Sequence, residues 1–288
     1  MADEACAQAP VAPLRRAAQR GNPIFVGGVP RSGTTLLRVM LDTHPDIHCG
    51  TELRAVDALA TLWSACRESV RPPLSEAYAL PDPSLRPAFA GLIMAFLRPA
   101  WEASGKPRVA EKTPWNLLVF PELRELFPDS ALVHVIRDGR DVVASRLDID
   151  RRAAGAGPLD TVARARERAL EWVAAMRLRR RMLADPGLAP AYYELRYESL
   201  VSDARATLRP LFDFIGVEHD DGVLRYHDID RNVAGSEEWS AAGVQRPLYA
   251  SSIGRWRASL DPAELAAVLE VAGPALDELG YLERGDSA

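Results

Sequence analysis

Four short stretches of this chain carry side chains suited to holding oxyanions and moving a proton. The first is Gly27-Gly28-Val29-Pro30-Arg31-Ser32-Gly33-Thr34-Thr35, which follows the apolar run Ile24-Phe25-Val26 and opens an apolar-periodic segment with Leu36, Leu37, Met40 and Leu41. The pattern predicts a strand, a small-residue loop and a helix. A helix start leaves backbone N–H groups unpaired and carries the positive end of the helix dipole, so anions settle there. Glycine lets the backbone turn and approach the anion with no Cβ in the way. The second stretch, Arg137-Asp138-Gly139-Arg140-Asp141 with Ser145 beyond it, follows the run Ala131–Ile136. The other two are Thr51-Glu52-Leu53-Arg54, after Ile47-His48-Cys49-Gly50, and Lys112-Thr113-Pro114, after Arg108–Glu111.

Gly28, Gly33 and Thr35 stand in register with the phosphate loop Gly-x4-Gly-Lys-Ser/Thr, but Thr34 occupies the lysine position and the cation sits inside the loop at Arg31. A phosphotransferase needs that lysine and a Mg²⁺ ligand to offset the charge of a transferring phosphate. A less charged group can be handled by fixed arginine and lysine without a metal. Lysine is scarce, with Lys106 and Lys112 the only two, so a lysine at a strand end is more telling here than any one arginine.

The elements that must position these groups are legible in outline. Continuous apolar runs such as Ala131–Ile136 mark buried parallel strands, and further strands are expected at Arg108–Glu111 and Ala191–Leu195. Helical spacing recurs over Val162, Ala169, Trp172, Val173 and Met176, up to about Ile215, and from Asp261-Pro262 to about Gly280. Prolines at 72–73 and 81–87 are expected to separate helices, Ala88–Leu97 to form a buried helix, and residues 153–157 a mobile loop. Strands alternating with helices predict a three-layer α/β/α P-loop-like domain with a central parallel sheet, whose ligands bind at the strands' carboxyl ends. We expect a disordered N-terminal tail at 1–20 and a single domain over 21–284. Apolar content of 48% and charged content of 26% suit a globular protein, and a net charge of −5 leaves no footprint for nucleic acid or an anionic membrane. Three cysteines without metal-ligand spacing and no apolar signal core in residues 1–20 point to the cytoplasm. Oligomeric state is silent, which leaves a homodimer open.

Pro30-Arg31-Ser32-Gly33-Thr34-Thr35-Leu36 together with Arg137-Asp138-Gly139-Arg140-Asp141-Val142-Val143-Ala144-Ser145 resembles the sulfotransferase family, which uses 3′-phosphoadenosine-5′-phosphosulfate (PAPS). The similarity is strongest to the tyrosylprotein branch through Ile24–Leu36, Leu41-Asp42, His44-Pro45-Asp46 and Cys49-Gly50, and it runs from about residue 23 to 281. The resemblance implies that Arg31, Ser32, Gly33, Thr34 and Thr35 hold the donor's 5′-phosphosulfate. It implies that Arg137 and Ser145 hold the 3′-phosphate, a cation at a strand end and a hydroxyl two turns into the next helix. Tyr197 would pack near the adenosine or serve as an aromatic core residue, and Arg255 would close over the 3′-phosphate.

For catalysis the resemblance implies Glu52 as general base, Lys112 and Arg31 as charge stabilisers and Ser240 as a transition-state contact, with Ser251 and Ser252 as competitors. His44 and His48 are the rival bases, because other sulfotransferases use histidine. The branch has a second acid where this chain has Thr51, and of its peptide-recognising basic residues Arg54 remains while Ala58 replaces another. The acceptor hydroxyl can then belong to a peptide tyrosine, a sugar or a small molecule. Two other readings stay in view: a P-loop small-molecule kinase, which would prefer Mg²⁺·ATP to the product nucleotide 3′-phosphoadenosine-5′-phosphate (PAP), and an inactive nucleotide-binding module.

Overall fold

The computed structural model describes residues 22–69, 82–155, 157–229 and 243–282. The tail assigned to residues 1–20 and Ser240 lie outside the described residues.

Five strands form one all-parallel sheet: β1 (Ile24–Gly27), β2 (Ile47–Cys49), β3 (Arg108–Lys112), β4 (Ala131–Ile136) and β5 (Tyr192–Arg196), in the order β2-β3-β1-β4-β5. β1 sits at the centre, with Ile24 opposite Ala110 on β3 and Ala131 on β4. Because side chains alternate along a strand, the sheet feeds two cores. Phe25, Val109, Leu132 and Ile136 join one apolar cluster with Trp63, Phe120, Trp172 and Leu276, while Ile24, Val26, Ala110, Val133 and Val135 join another with Leu37, Leu41, Leu208 and Phe212. Helices therefore cover both faces, which is the three-layer α/β/α arrangement expected.

The helices that bear on function are α1 (Thr34–Thr43), α2 (Ala55–Ser69), α3 (Asp82–Ser104), α4 (Phe120–Leu126), α5 (Gly139–Ala154), α6 (Thr161–Ala184), α7 (Tyr197–Ser202), α8 (Ala204–Ile215), α9 (Trp256–Ser259) and α10 (Pro262–Glu278). A 3₁₀ segment, Pro114–Val119, follows β3. α10 opens on a capping box between Asp261 and Glu264, the start that Asp261-Pro262 predicted.

Three expectations are corrected. Residues 72–73 lie outside the described residues, but Pro87 of the 81–87 stretch falls inside α3, which also continues through Pro99. Both are exposed, so the carbonyls they leave unbonded meet water, and buried Ile93 and Leu97, one turn apart, tether the helix to the core. The same helix is only half buried, since Leu92 and Phe96 are 46% and 51% exposed. The expected loop at 153–157 is shorter, because α5 extends to Ala154 and ends on Gly155 at φ 56.

Candidate active site

All four chemistry-bearing stretches meet at the carboxyl edge of the sheet. β1 ends on Gly27, where a Cβ would lie 2.6 Å from the Leu117 amide, and at Gly28 one would lie 2.5 Å from the Val135 carbonyl. The loop then turns through Arg31, the one non-glycine with positive φ (80°) among the described residues. Strain of this kind persists where the surroundings over-determine the backbone, commonly at ligand sites. Gly33 N-caps α1 at φ 100, and a Cβ there would lie 2.3 Å from the Tyr197 ring. The first backbone bond of α1 runs from Leu37 N–H to the Gly33 carbonyl, so the amides ahead of it have no partners within the helix.

Two cavities open on either side of this loop. The larger, about 730 Å³, is lined by Arg31, Gly33, Thr34, Thr35, Glu52 and Trp115, with Arg54, Asp57, Arg146, Ile149, Asp150 and Arg168 further out. The smaller, about 290 Å³, is lined by Arg31, Gly33, Thr35, Arg137, Ser145, Tyr197, Ser252 and Arg255, together with Arg152, Tyr226 and Tyr249. Arg31, Gly33 and Thr35 belong to both.

Around the smaller cavity, Arg31 Nε donates to Ser145 Oγ at 3.0 Å and Arg137 donates to the Arg31 carbonyl at 3.1 Å. Burial, and the neighbouring cations Arg137 and Arg255, lower the pKa of Arg31. Arg137 also donates to the Ser252 carbonyl and stacks 4.5 Å from the centre of the Tyr197 ring, while its buried Nε has no partner among the described residues. Tyr197 hydrogen-bonds Ser252 Oγ at 2.6 Å, and Arg255 pairs with Asp148. Tyr197 is thus both a cavity wall and a packing residue against Gly33.

The other acids and bases of the Arg137–Asp141 motif hold this wall in place. Asp138 caps α5 through the Arg140 amide and pairs with the Arg140 guanidinium at 2.9 Å, while Arg137 lies 3.6 Å from Asp141. Asp141 accepts the amides of Gly254 at 2.8 Å and Trp256 at 3.0 Å, which anchors the segment carrying Ser252 and Arg255. Glu198 accepts the Asp138 amide at 2.8 Å, tying α7 to the same turn. Sequence reasoning quoted Asp141 within its motif but assigned it no role.

On the other side, Lys112 is fully buried and its Nζ donates to Glu52 Oε1 at 2.6 Å and to Thr35 Oγ1 at 3.3 Å. One ammonium therefore links the carboxylate at the end of β2 to the first turn of α1. The second lysine, Lys106, donates to the carbonyls of Asp42 and Ile47 behind α1, a structural role. The histidine rivals are committed elsewhere. His44 is buried and uses both ring nitrogens, Nδ1 accepting from the Asp46 amide and Nε2 facing the Glu218 carbonyl at 2.8 Å. That pairing puts the proton on Nε2. His48 sits beside Asp42 at 3.7 Å, and neither histidine lines either cavity.

Some expected residues fall outside this geometry. Ser32 is buried at 1% exposure, its amide bonds the Val29 carbonyl, and it lines neither cavity. Ser251 is exposed, while Ser252 belongs to the smaller cavity and is absent from the wall that holds Glu52. Among the described residues no three histidine, cysteine or carboxylate side chains gather as a metal site.

The sulfotransferase family model matches residues 23–221. Protein-tyrosine sulfotransferase A of Caenorhabditis elegans is 30% identical over 262 residues, covering 90% of this chain and 67% of that protein. Protein-tyrosine sulfotransferase 1 of Danio rerio is 31% identical over 268 residues, covering 90% and 72%. Among solved structures, the sulfotransferase domain of the Synechococcus PCC 7002 olefin synthase superposes with a TM-score of 0.61 at 19% identity over 89% of this chain and 95% of that one. A mouse sulfotransferase complexed with PAP gives 0.53 at 13% over 93% and 90%. The chain belongs to the sulfotransferase family. It is an enzyme that transfers a sulfuryl group to an acceptor hydroxyl, and the kinase alternative is not favoured.

Proposed function

We propose that the two cavities are the two halves of one transfer site, with PAPS as donor in the smaller and a phenolic hydroxyl, such as a tyrosyl group, entering the larger. The observation that carries this reading is the loop they share: Arg31, Gly33 and Thr35 face both sides. The smaller cavity fits a bisphosphate nucleotide, because Arg31, Arg137 and Arg255 converge there beside an aromatic wall and the buried Arg137 Nε has no partner among the described residues. Arg137, Ser145, Tyr197 and Arg255 would hold the 3′-phosphoadenosine end, and the α1 amides with Thr34 and Thr35 the 5′-phosphosulfate. When bound, the donor supplies an activated sulfuryl group on a phosphate leaving group.

The chain's own residues do the rest. Glu52 accepts the proton of the acceptor hydroxyl as that oxygen becomes nucleophilic. Lys112, already bridging Glu52 and Thr35, offsets negative charge between acceptor and loop, and Arg31 does so from the other side. Trp115 and Ile149 give the larger cavity an apolar wall for an aromatic ring. The relatives named protein-tyrosine sulfotransferases support a tyrosyl acceptor. The free thiols of Cys49 and Cys66 support work in a reducing compartment such as the cytoplasm.

Thermal denaturation with PAP in the absence of Mg²⁺ tests the donor half. We expect a rise in Tm that Arg137→Ala removes. No rise at saturating PAP, or a larger rise with Mg²⁺·ATP, overturns the assignment.

A further inference from the structure

β3 ends with two neighbouring charged residues whose side chains leave opposite faces of the sheet, as strand alternation requires. Lys112 holds the Glu52 carboxylate, as described. Glu111, 2% exposed, turns the other way and accepts three hydrogen bonds. Its Oε1 takes the Thr113 hydroxyl at 2.8 Å and the Leu53 backbone N–H at 3.2 Å, and its Oε2 takes the Asn116 amide. Consecutive residues of one strand thus grip consecutive residues of one loop, Lys112 by the side chain of Glu52 and Glu111 by the backbone of Leu53.

The grip matters because Glu52 lies outside any helix or strand. Its backbone is fixed at its carboxyl side by the Leu53 amide on Glu111 and by the Leu53 carbonyl, which accepts from Val56 at the start of α2. Asn116 donates in turn to the Val26 carbonyl at 3.3 Å, so the carboxylate of Glu111 joins β1, β3, the 3₁₀ segment and the Glu52 loop. Glu111 lines neither of the two cavities. We propose that Glu111 is a positioning residue, a buried carboxylate that holds the Leu53 amide so that Glu52 meets Lys112 and the acceptor hydroxyl in register.

Three donors and the Lys112 charge favour the carboxylate, but burial outweighs them and pushes the Glu111 carboxyl up to about 7. The group is therefore held at a desolvation cost, which an apolar or amide residue would avoid, and its placement at the base's own loop accounts for it.

The inference rests on Glu52 being the base, and the test separates the two. Steady-state rates with PAPS and a tyrosyl peptide are compared for Glu52→Gln, Glu111→Ala and Glu111→Gln. Displacing a base by a fraction of an ångström to one ångström costs on the order of a hundredfold, so Glu111→Ala should lose about that in kcat while KM for PAPS and the PAP-induced Tm rise stay within about threefold and a degree. Glu111→Gln keeps an acceptor oxygen for Leu53 and should recover to within roughly fivefold of the unaltered enzyme. A purely structural role would move stability and donor binding together with kcat and would show no such rescue. Should Glu111→Ala fail to fold, Glu111→Asp serves, since it keeps the charge but withdraws the oxygen from Leu53, and at least about a tenfold loss in kcat at constant KM is expected. Full activity in the Ala or Asp variant, or a Gln variant no better than Ala, overturns the positioning role. If Glu52→Gln itself retains full activity, the assignment of the base has failed instead.

Discussion

The two cavities share a loop yet are built by different means. The smaller one is held largely by side chains that grip main-chain groups: Arg137 on the Arg31 and Ser252 carbonyls, Asp141 on the Gly254 and Trp256 amides, Glu198 on the Asp138 amide. The larger one is framed mostly by side-chain ion pairs, Lys112 to Glu52, Arg146 to Glu171 and Arg168 to Asp150, with Glu111 holding the Leu53 amide beneath it. Anchoring on main-chain groups fixes the path of the backbone around the cavity, which suits an invariant nucleotide. Ion pairs between side chains on different elements can be rewritten one substitution at a time to suit an acceptor.

If this division is right, chemistry and donor binding should come apart under mutation. Glu52→Gln removes the proton acceptor while keeping the side chain's shape. We expect kcat to fall by roughly 10²–10⁴, the range general-base catalysis contributes, with the PAP-induced Tm rise intact. Loss of the Tm rise together with activity would show the two cavities to be one mechanical unit.

The second prediction concerns stability and pH at the base's support. The Glu111 carboxyl sits at about 7 when folded against an ordinary value of 4.5. A carboxyl with a raised folded pKa favours folding fully below its unfolded value, and that contribution is lost as pH rises through the folded value. Over this window the loss is on the order of 3 kcal/mol. The gap in unfolding free energy between Glu111→Gln and the unaltered protein, measured with urea at about pH 4.5 and about pH 8, should move by that amount in favour of the Gln variant. A gap that is flat with pH would place the Glu111 ionisation elsewhere.

Arg137→Ala tests the donor side. The residue contributes charge and covers Tyr197, and a hydrogen bond to a charged group is worth about 1.5–3 kcal/mol, so KM for PAPS should rise roughly 10- to 100-fold. Measured at saturating PAPS, kcat should change far less. A large kcat loss at saturation would bring Arg137 into the chemistry and blur the comparison.

The same division explains what could be read from the chain before its structure. The sheet, the phosphate loop and the Arg137–Ser145 wall were legible because each is contiguous: an apolar run marks the strand, and the residues after it hold the ligand. Glu52 and Lys112 were legible as strand-end residues, but their 2.6 Å contact depends on β2 and β3 being neighbours, which local pattern does not specify. Ser32 was misplaced because a loop's spacing does not say which hydroxyl turns inward, and here it is buried away from both cavities. The larger cavity's outer wall was missed. Arg146, Ile149 and Asp150 do recur at i, i+3 and i+4 on α5, a shared-face signal, but only the arrival of α6 makes that face a wall. Tyr226 and Tyr249 carried no local signal at all.

The smallest expected effect lies on that rewritable wall. Asp57, in the first turn of α2, lines the larger cavity, and its Oδ1 is buried without a hydrogen-bond partner among the described residues. A carboxylate there repels an acidic side chain flanking the acceptor tyrosine. At a partly solvated site such repulsion is worth on the order of 1 kcal/mol, or about fivefold. Asp57→Asn should therefore raise kcat/KM for a tyrosyl peptide with adjacent acidic residues by about that factor relative to the same peptide with neutral neighbours. The gain should shrink at high salt, where the Debye length falls to about 3 Å at 1 M. An equal change for both peptides would mean that Asp57 supports the fold of α2 and leaves acceptor choice to the arginines around it.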